Sequence, residues 1–396
     1  MKLSLVTRLI LFSFVLFLES KIAAGQVARP AETDKKVVPV SANGPYQATR
    51  TLKNDLLHTR LELRFDWVRQ WVHGVATLRL KPYFYPQNTL DIDAKGFDIK
   101  GVFLLDTLKT GQTVFDTLNY TYNDRRSIHL LLPRTYTRAD TFDIQIVYTA
   151  KPNELPVGGS AAISQDKGLY FINHDGAEGN KPRQIWTQGE TEANSRWFPT
   201  IDTPNEKMTQ EILLTVDNRY RTLSNGKLIW SKHNADSTRT DYWRQTLPHA
   251  PYLAMVAVGN FAYVKDSLPA TSNRHGLEVS YYVEPAYEQS ARGIFGRTPA
   301  MIEFFEKTFG VPYVWDKYSQ IAVRDFVSGA MENTTATVHA ETVQMDNRQL
   351  VDGNSDEVIS HELAHHWFGD LVTCESWSNL PLNESFATYA EYLWLE

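Results

Sequence analysis

Apolar and polar residues alternate through much of the first two thirds of the chain. Thr59, Leu61, Leu63, Phe65 and Trp67 occupy every second position, as do Ala76, Leu78 and Leu80, then Ile128, Leu130 and Leu132, then Phe142, Ile144, Ile146 and Tyr148. Side chains two apart share one face of a strand, so the pattern predicts half-buried antiparallel strands. Asn225-Gly226 has the composition of a hairpin turn, and a further apolar segment runs from Leu253 to Val258. These segments predict a β-sandwich domain over residues 46–265. Past Glu284 the period lengthens. Thr298 and Pro299 open a helix, Ile302, Phe305 and Phe309 line one face of it, and Gly310 closes it.

Two more helices are expected near the end of the sequence. Asn354 as N-cap and Glu357 at the third helical position begin one over residues 356–369, with Val358, Ile359, Leu363, Trp367 and Phe368 forming its apolar side. Pro381 suits the first turn of the other, whose expected buried stripe is Leu382, Phe386, Ala390 and Leu393. The fold class is therefore α+β and multidomain. With 396 residues, 42% of them hydrophobic, the chain can bury a large core and divide into two or three domains.

The first residues read as an address. Lys2 and Arg8 precede an apolar run from Leu9 to Leu18, and Ala23-Ala24-Gly25 offers small residues for cleavage. Residues 1–25 are thus expected to be a signal peptide and residues 26–45 a polar segment, with the mature protein exported to a periplasm or the extracellular space. The apolar run is well short of the roughly 20 residues a spanning helix needs, so no stable membrane span is expected after cleavage. A net charge of −6 without a long basic run argues against a nucleic-acid partner. Cys374 is the only cysteine, which excludes an intrachain disulfide. Oligomeric state has no signal in the sequence.

One cluster changes the picture from fold to chemistry. His361, Glu362 and His365 spell H-E-x-x-H, and Asn383-Glu384 follows, with Glu384 nineteen residues past the second histidine. On a helix, residues four apart leave the same face about one turn apart, so both imidazoles can chelate one ion. His366, one residue further, points about 100° around the helix and is read as a non-ligand. Glu384 lies near the start of the following helix and supplies a carboxylate of the kind that completes a zinc site.

Further motifs carry a family resemblance. Gly329-Ala330-Met331-Glu332-Asn333, the stretch from His361 to Asp370, and Asn383-Glu384 together resemble the gluzincin zinc aminopeptidases related to aminopeptidase N and leukotriene hydrolase. Thr187-Gln188-Gly189-Glu190 and the segment from Trp197 to Pro204 match the part of the family's β domain that contributes to substrate binding. The resemblance covers roughly residues 50–396. It implies an N-terminal β saddle followed, over 266–396, by a thermolysin-like catalytic domain that is incomplete at its C-terminal end. It also implies one Zn2+ per chain held by His361, His365 and Glu384, with Glu362 as general base.

Substrates implied by the resemblance are peptides with a free N-terminus. Glu190 and Glu332 would anchor the α-amine with Gln188 assisting, while Gly329, Ala330, Met331 and Asn333 line the substrate, because a desolvated ammonium requires charged partners. Asn383 is expected to hydrogen-bond one of the liganding histidines from behind. The family's oxyanion-stabilising tyrosine lies further along than Tyr389 or Tyr392 by spacing. A zinc endopeptidase or other gluzincin hydrolase, and a catalytically silent binding module, are the alternatives.

Overall fold

Strand pairing in the computed structural model, which describes residues 48–107, 112–268 and 276–396, organises most of the chain into four sheets. The expected signal peptide and the polar segment after it lie outside the described residues. The largest sheet has eight strands, and its central members include Asn54–Asp66, Trp71–Pro82 and Phe142–Ala150. The alternation reports burial directly: Leu61, Leu63, Leu78, Leu80, Ile144 and Ile146 are all buried on the core face. Most pairs are antiparallel. The exception in this sheet is Asn54–Asp66 against Met208–Asp217, which run parallel with Leu61 opposite Ile212. Residue alternation is the same in both pairings, so local pattern cannot distinguish them.

Asn225-Gly226 is not a hairpin turn. It joins Arg221–Ser224, in a four-stranded sheet, to Lys227–His233, at the edge of the eight-stranded one. Gly226 has φ +69°, and a Cβ there would lie 1.9 Å from the Arg244 carbonyl oxygen. The turn is instead a docking point. Asn225 Nδ2 donates to the carbonyls of Leu253 and Thr334, each at 2.8 Å, and the Gly226 N–H donates to Thr335 Oγ1 at 2.7 Å. The buried Lys317 ammonium donates to Thr335 O at 2.7 Å and Ser224 O at 3.2 Å, although burial lowers its pKa to about 7. Together these contacts tie the β-rich half to the residues that follow Glu332.

A second hydrophobic cluster builds the helical half around Val279, Tyr281, Phe295, Phe305, Trp315 and Leu363. Ala262–Ser267, which straddles residue 265, already pairs with Glu278–Val283 in a five-stranded sheet of this half. Five α-helices are described: α1 Ala291–Phe295, α2 Thr298–Phe309, α3 Gln349–Asp352, α4 Asp356–Ala364 and α5 Pro381–Leu395. Gly310 ends α2 in the left-handed conformation at φ +68°, with Ile302 and Phe305 fully buried. Ser355, not the expected Asn354, holds the N-cap position of α4; Asn354 stands one residue earlier, where its Oδ1 accepts the Asp356 N–H at 2.9 Å. No helix among the described residues is long and apolar enough to cross a membrane.

Two further expectations about the helices are corrected. α4 stops at Ala364 rather than 369, because the hydrogen bonds tighten to the third preceding residue at His366 and Trp367 and the chain then turns back through Gly369, at φ +137°. α5 buries Asn383, Ala387 and Ala390, not the stripe through Leu382 and Phe386; Phe386 is 47% exposed.

Acid sensitivity follows from the buried imidazoles. Burial holds His249 and His339 neutral, with pKa values of about 3, against about 6.5 for a solvated histidine. Between these values the unfolded chain binds protons that the folded chain refuses. Stability is therefore full above about pH 6.5 and falls as pH drops toward about 3, by about 1.4 kcal/mol per pH unit for each such histidine. Urea unfolding between pH 7.5 and 5 should show this slope, and His339→Gln should flatten it by about one proton's worth; an unchanged slope in the variant contradicts the assignment.

Candidate active site

α4 and α5 pack against each other and bring three donors together. His361 leaves the last turn of α4, His365 lies just beyond its end, and Glu384 sits in the first turn of α5. His361 Nε2 and His365 Nε2 are 3.1 Å apart, and Glu384 Oε2 lies 3.5 Å from the first and 3.7 Å from the second. A tetrahedral ion with bonds of about 2.0–2.1 Å has ligands about 3.3 Å apart, so the triangle has the size such an ion requires.

Proton positions support the same reading. His361 Nδ1 meets Glu391 Oε2 at 3.2 Å, and His365 Nδ1 meets the Phe368 carbonyl oxygen at 2.9 Å. Both partners accept, so each ring carries its proton on Nδ1 and turns the lone pair of Nε2 inward. Two imidazole lone pairs and a carboxylate oxygen then face one another, an arrangement that needs a cation at its centre. Burial opposes charge on His361, yet Glu384, Glu362 and Glu391 raise its pKa to about 9, the same demand expressed through a proton. Glu384, despite burial, is held below its ordinary pKa by His361 and His365. The donor set of two nitrogens and one carboxylate oxygen suits zinc and leaves a fourth position open.

More negative charge surrounds this triangle. A cavity of about 620 Å³ is lined by His361, His365, Glu384, Glu362, Glu332 and Glu190, among other residues. Glu362 is buried, and its Oε2 has no hydrogen-bond partner among the described residues. Burial first, then the neighbouring Glu332, Glu384 and Glu190, push its pKa well up against the opposing pull of His361. Glu190 is raised by burial and by Glu332 and Glu384. Glu332 follows the short strand Ala330–Met331, the edge of the five-stranded sheet, and accepts a hydrogen bond from Tyr252 Oη at 3.0 Å. A larger cavity of about 850 Å³, beside Arg221, Arg239 and Lys317, holds no comparable ligand cluster among the described residues.

Known proteins show the family of this chain. The model of the peptidase M1 N-terminal domain matches residues 54–253, and that of the peptidase family M1 domain matches residues 295–396. The chain belongs to peptidase family M1. Glutamyl aminopeptidase of Bos taurus is 36% identical over 200 residues, which is 50% of this chain and 20% of that protein. Endoplasmic reticulum aminopeptidase 1 of Rattus norvegicus is 29% identical over 276 residues, 69% of this chain and 28% of its own. Aminopeptidase M1-A of Oryza sativa subsp. japonica is 34% identical over 252 residues, 60% and 28% respectively. The matches thus span little more than a quarter of these relatives at most. A crystal structure of a two-domain M1 zinc metallopeptidase, a mutant bound to L-tryptophan, superimposes with a TM-score of 0.71 at 20% identity, covering 89% of this chain and 72% of that one. That likeness establishes the shared fold.

Within the M1 frame, not every residue singled out from sequence reaches the cavity. Gly329 and Ala330 line it, whereas Met331 alternates to the other face of its strand and is buried in the core. Gln188 and Asn333 are also buried, and neither side-chain amide has a hydrogen-bond partner among the described residues. His366 stays outside the triangle. Its Nε2 accepts the Thr335 N–H at 2.9 Å, and burial lowers its pKa to about 3. Tyr389 and Tyr392 are more than half exposed on α5.

Asn383 does not back a liganding histidine. Its Oδ1 accepts the Cys374 N–H at 3.1 Å and its Nδ2 donates to Tyr252 Oη at 3.2 Å, so its polar atoms are committed elsewhere. Glu391 and the Phe368 carbonyl take the positions behind the imidazoles. Glu391 was legible in principle: it is seven residues past Glu384, two helical turns along one face of α5. Gly369 permits the turn that brings Phe368 back, since a Cβ there would stand 3.1 Å from His365 Nδ1. Replacing Glu391 by Gln should weaken metal affinity about 10- to 100-fold without unfolding the protein. Chelator competition measures this, and unchanged affinity contradicts the backing role.

Proposed function

We propose that this M1 protein is a zinc-dependent aminopeptidase with one ion per chain, held by His361, His365 and Glu384. The observation that carries the reading is the presence of Glu190 and Glu332 in the same cavity as that triangle and Glu362. A bound zinc ion supplies a Lewis acid beside the scissile carbonyl. Glu362 takes a proton from the attacking water at its free Oε2 and returns it to the departing amine. Glu190 and Glu332 hold the substrate's α-ammonium, which offsets their mutual repulsion and fixes how many residues lie before the cleaved bond.

The edge strand at Ala330 adds orientation. Its neighbour in the sheet lies on one side only, so the backbone on the other side can pair with an extended peptide. On the strength of the N-terminal charge and apolar run, the enzyme works outside the cytoplasm.

Hydrolysis of a free aminoacyl fluorogenic amide and of its N-acetylated twin tests the reading. Chelator-sensitive cleavage of the free form alone is expected. Equal cleavage of both indicates an endopeptidase, and no cleavage by the zinc-loaded protein indicates a silent binding module. Glu362→Gln should keep the metal and lose at least about a hundredfold in kcat; full turnover by that variant excludes Glu362 as the base.

A further inference from the structure

Tyr252 comes from the β-rich half, yet its hydroxyl ends against the anchoring carboxylate of the other half. It lies in the turn Pro251–Leu253, which Asn194 Nδ2 grips through the carbonyls of Pro251 at 2.7 Å, Tyr252 at 3.2 Å and Ala254 at 2.9 Å. Its ring stands edge-on to Trp377, with centroids 5.0 Å apart. Tyr252, Glu332, Asn383 and Cys374 are all buried.

The direction of each hydrogen bond in this chain is fixed. The Cys374 backbone N–H can only donate, and it donates to Asn383 Oδ1. The amide nitrogen of Asn383 therefore faces Tyr252, and because it too can only donate, the phenol oxygen accepts there. The single phenolic proton is left for Glu332 Oε1. Burial, followed by Glu332, Asp370 and Glu190, drives the Tyr252 pKa well above its ordinary value, so the proton stays in place.

We infer that Tyr252 is a positioning residue for the proposed amine anchor: backed by Asn383, it donates a hydrogen bond to Glu332 Oε1 and leaves Oε2 oriented toward the substrate's α-ammonium. This inference rests on the aminopeptidase reading. It also assigns Asn383 a task, since the residue beside the metal ligand Glu384 sets the polarity of the bond that orients the anchor.

Two substitutions in the full chain test it. Tyr252→Phe removes the proton donor. Asn383→Asp keeps the acceptor for Cys374 but turns the second atom into an acceptor, which draws the phenolic proton away from Glu332. Each should raise KM for a free aminoacyl amide about 10- to 100-fold while kcat stays within about threefold, because an interaction made equally in ground and transition states is lost. Metal content should not change. The inhibition constant of an aminoacyl hydroxamate should rise by the same factor, whereas that of acetohydroxamate, which carries no amine, should stay put.

A merely structural role weakens both inhibitors together or lowers metal content, and either result overturns the inference. Unchanged KM in both variants overturns it as well. If the wild type fails to distinguish free from acetylated substrate, the aminopeptidase reading itself falls. Discrimination by the wild type, retained in full by Tyr252→Phe, removes only the role of Tyr252.

Discussion

Convergence of acceptors without donors is the constraint around which this molecule is built. Two Nε2 lone pairs and a Glu384 oxygen meet within 3.7 Å, and Glu190, Glu332 and Glu362 add carboxylates in the same cavity. Such a site repels itself unless positive charge enters it. Under the proposed function, a divalent ion would neutralise part of the charge and a substrate ammonium part of the remainder. Burial that would be a liability in an ordinary core thereby becomes the source of affinity for both.

Holding that arrangement open requires scaffolding from both halves of the chain. From the helical half, Glu391 and the Phe368 carbonyl fix the imidazoles, and Gly369 allows the turn that makes the second contact. From the β-rich half come Glu190, the Asn225-Gly226 turn against Thr334 and Thr335, and Tyr252 against Glu332. The site is thus a property of the junction rather than of α4 and α5 alone. The hydrogen bonds among these groups keep the site from relaxing apart.

Reading the sequence reached the strands and the centre more readily than the connections between them. The alternation in residues 59–67 and 142–148 reflects a face buried against a core, and that survives in the structure. Parallel pairing of Asn54–Asp66 with Met208–Asp217 leaves no local trace, since it depends on segments far apart in sequence. Asn225-Gly226 carries the composition of a hairpin because any tight turn with positive φ selects it. The H-E-x-x-H spacing forced His361 and His365 onto one side, whereas the end of α4 depended on hydrogen bonds to side-chain and backbone groups that periodicity does not encode. Asn383 was misplaced for a similar reason: its neighbour Glu384 faces the triangle, but one residue further round the helix faces Tyr252 and Cys374.

The metal's ligand shell tests the central claim most directly. Zinc K-edge absorption on the zinc-loaded protein should show one ion bound by two imidazole nitrogens at about 2.0–2.1 Å, the remaining ligands being oxygens at about 2.0–2.2 Å. The same spectrum should lose imidazole scattering in His361→Ala and His365→Ala variants. A shell made only of oxygens, or one untouched by these substitutions, would show that the ion is not held by His361, His365 and Glu384, and the charge balance described above would not stand.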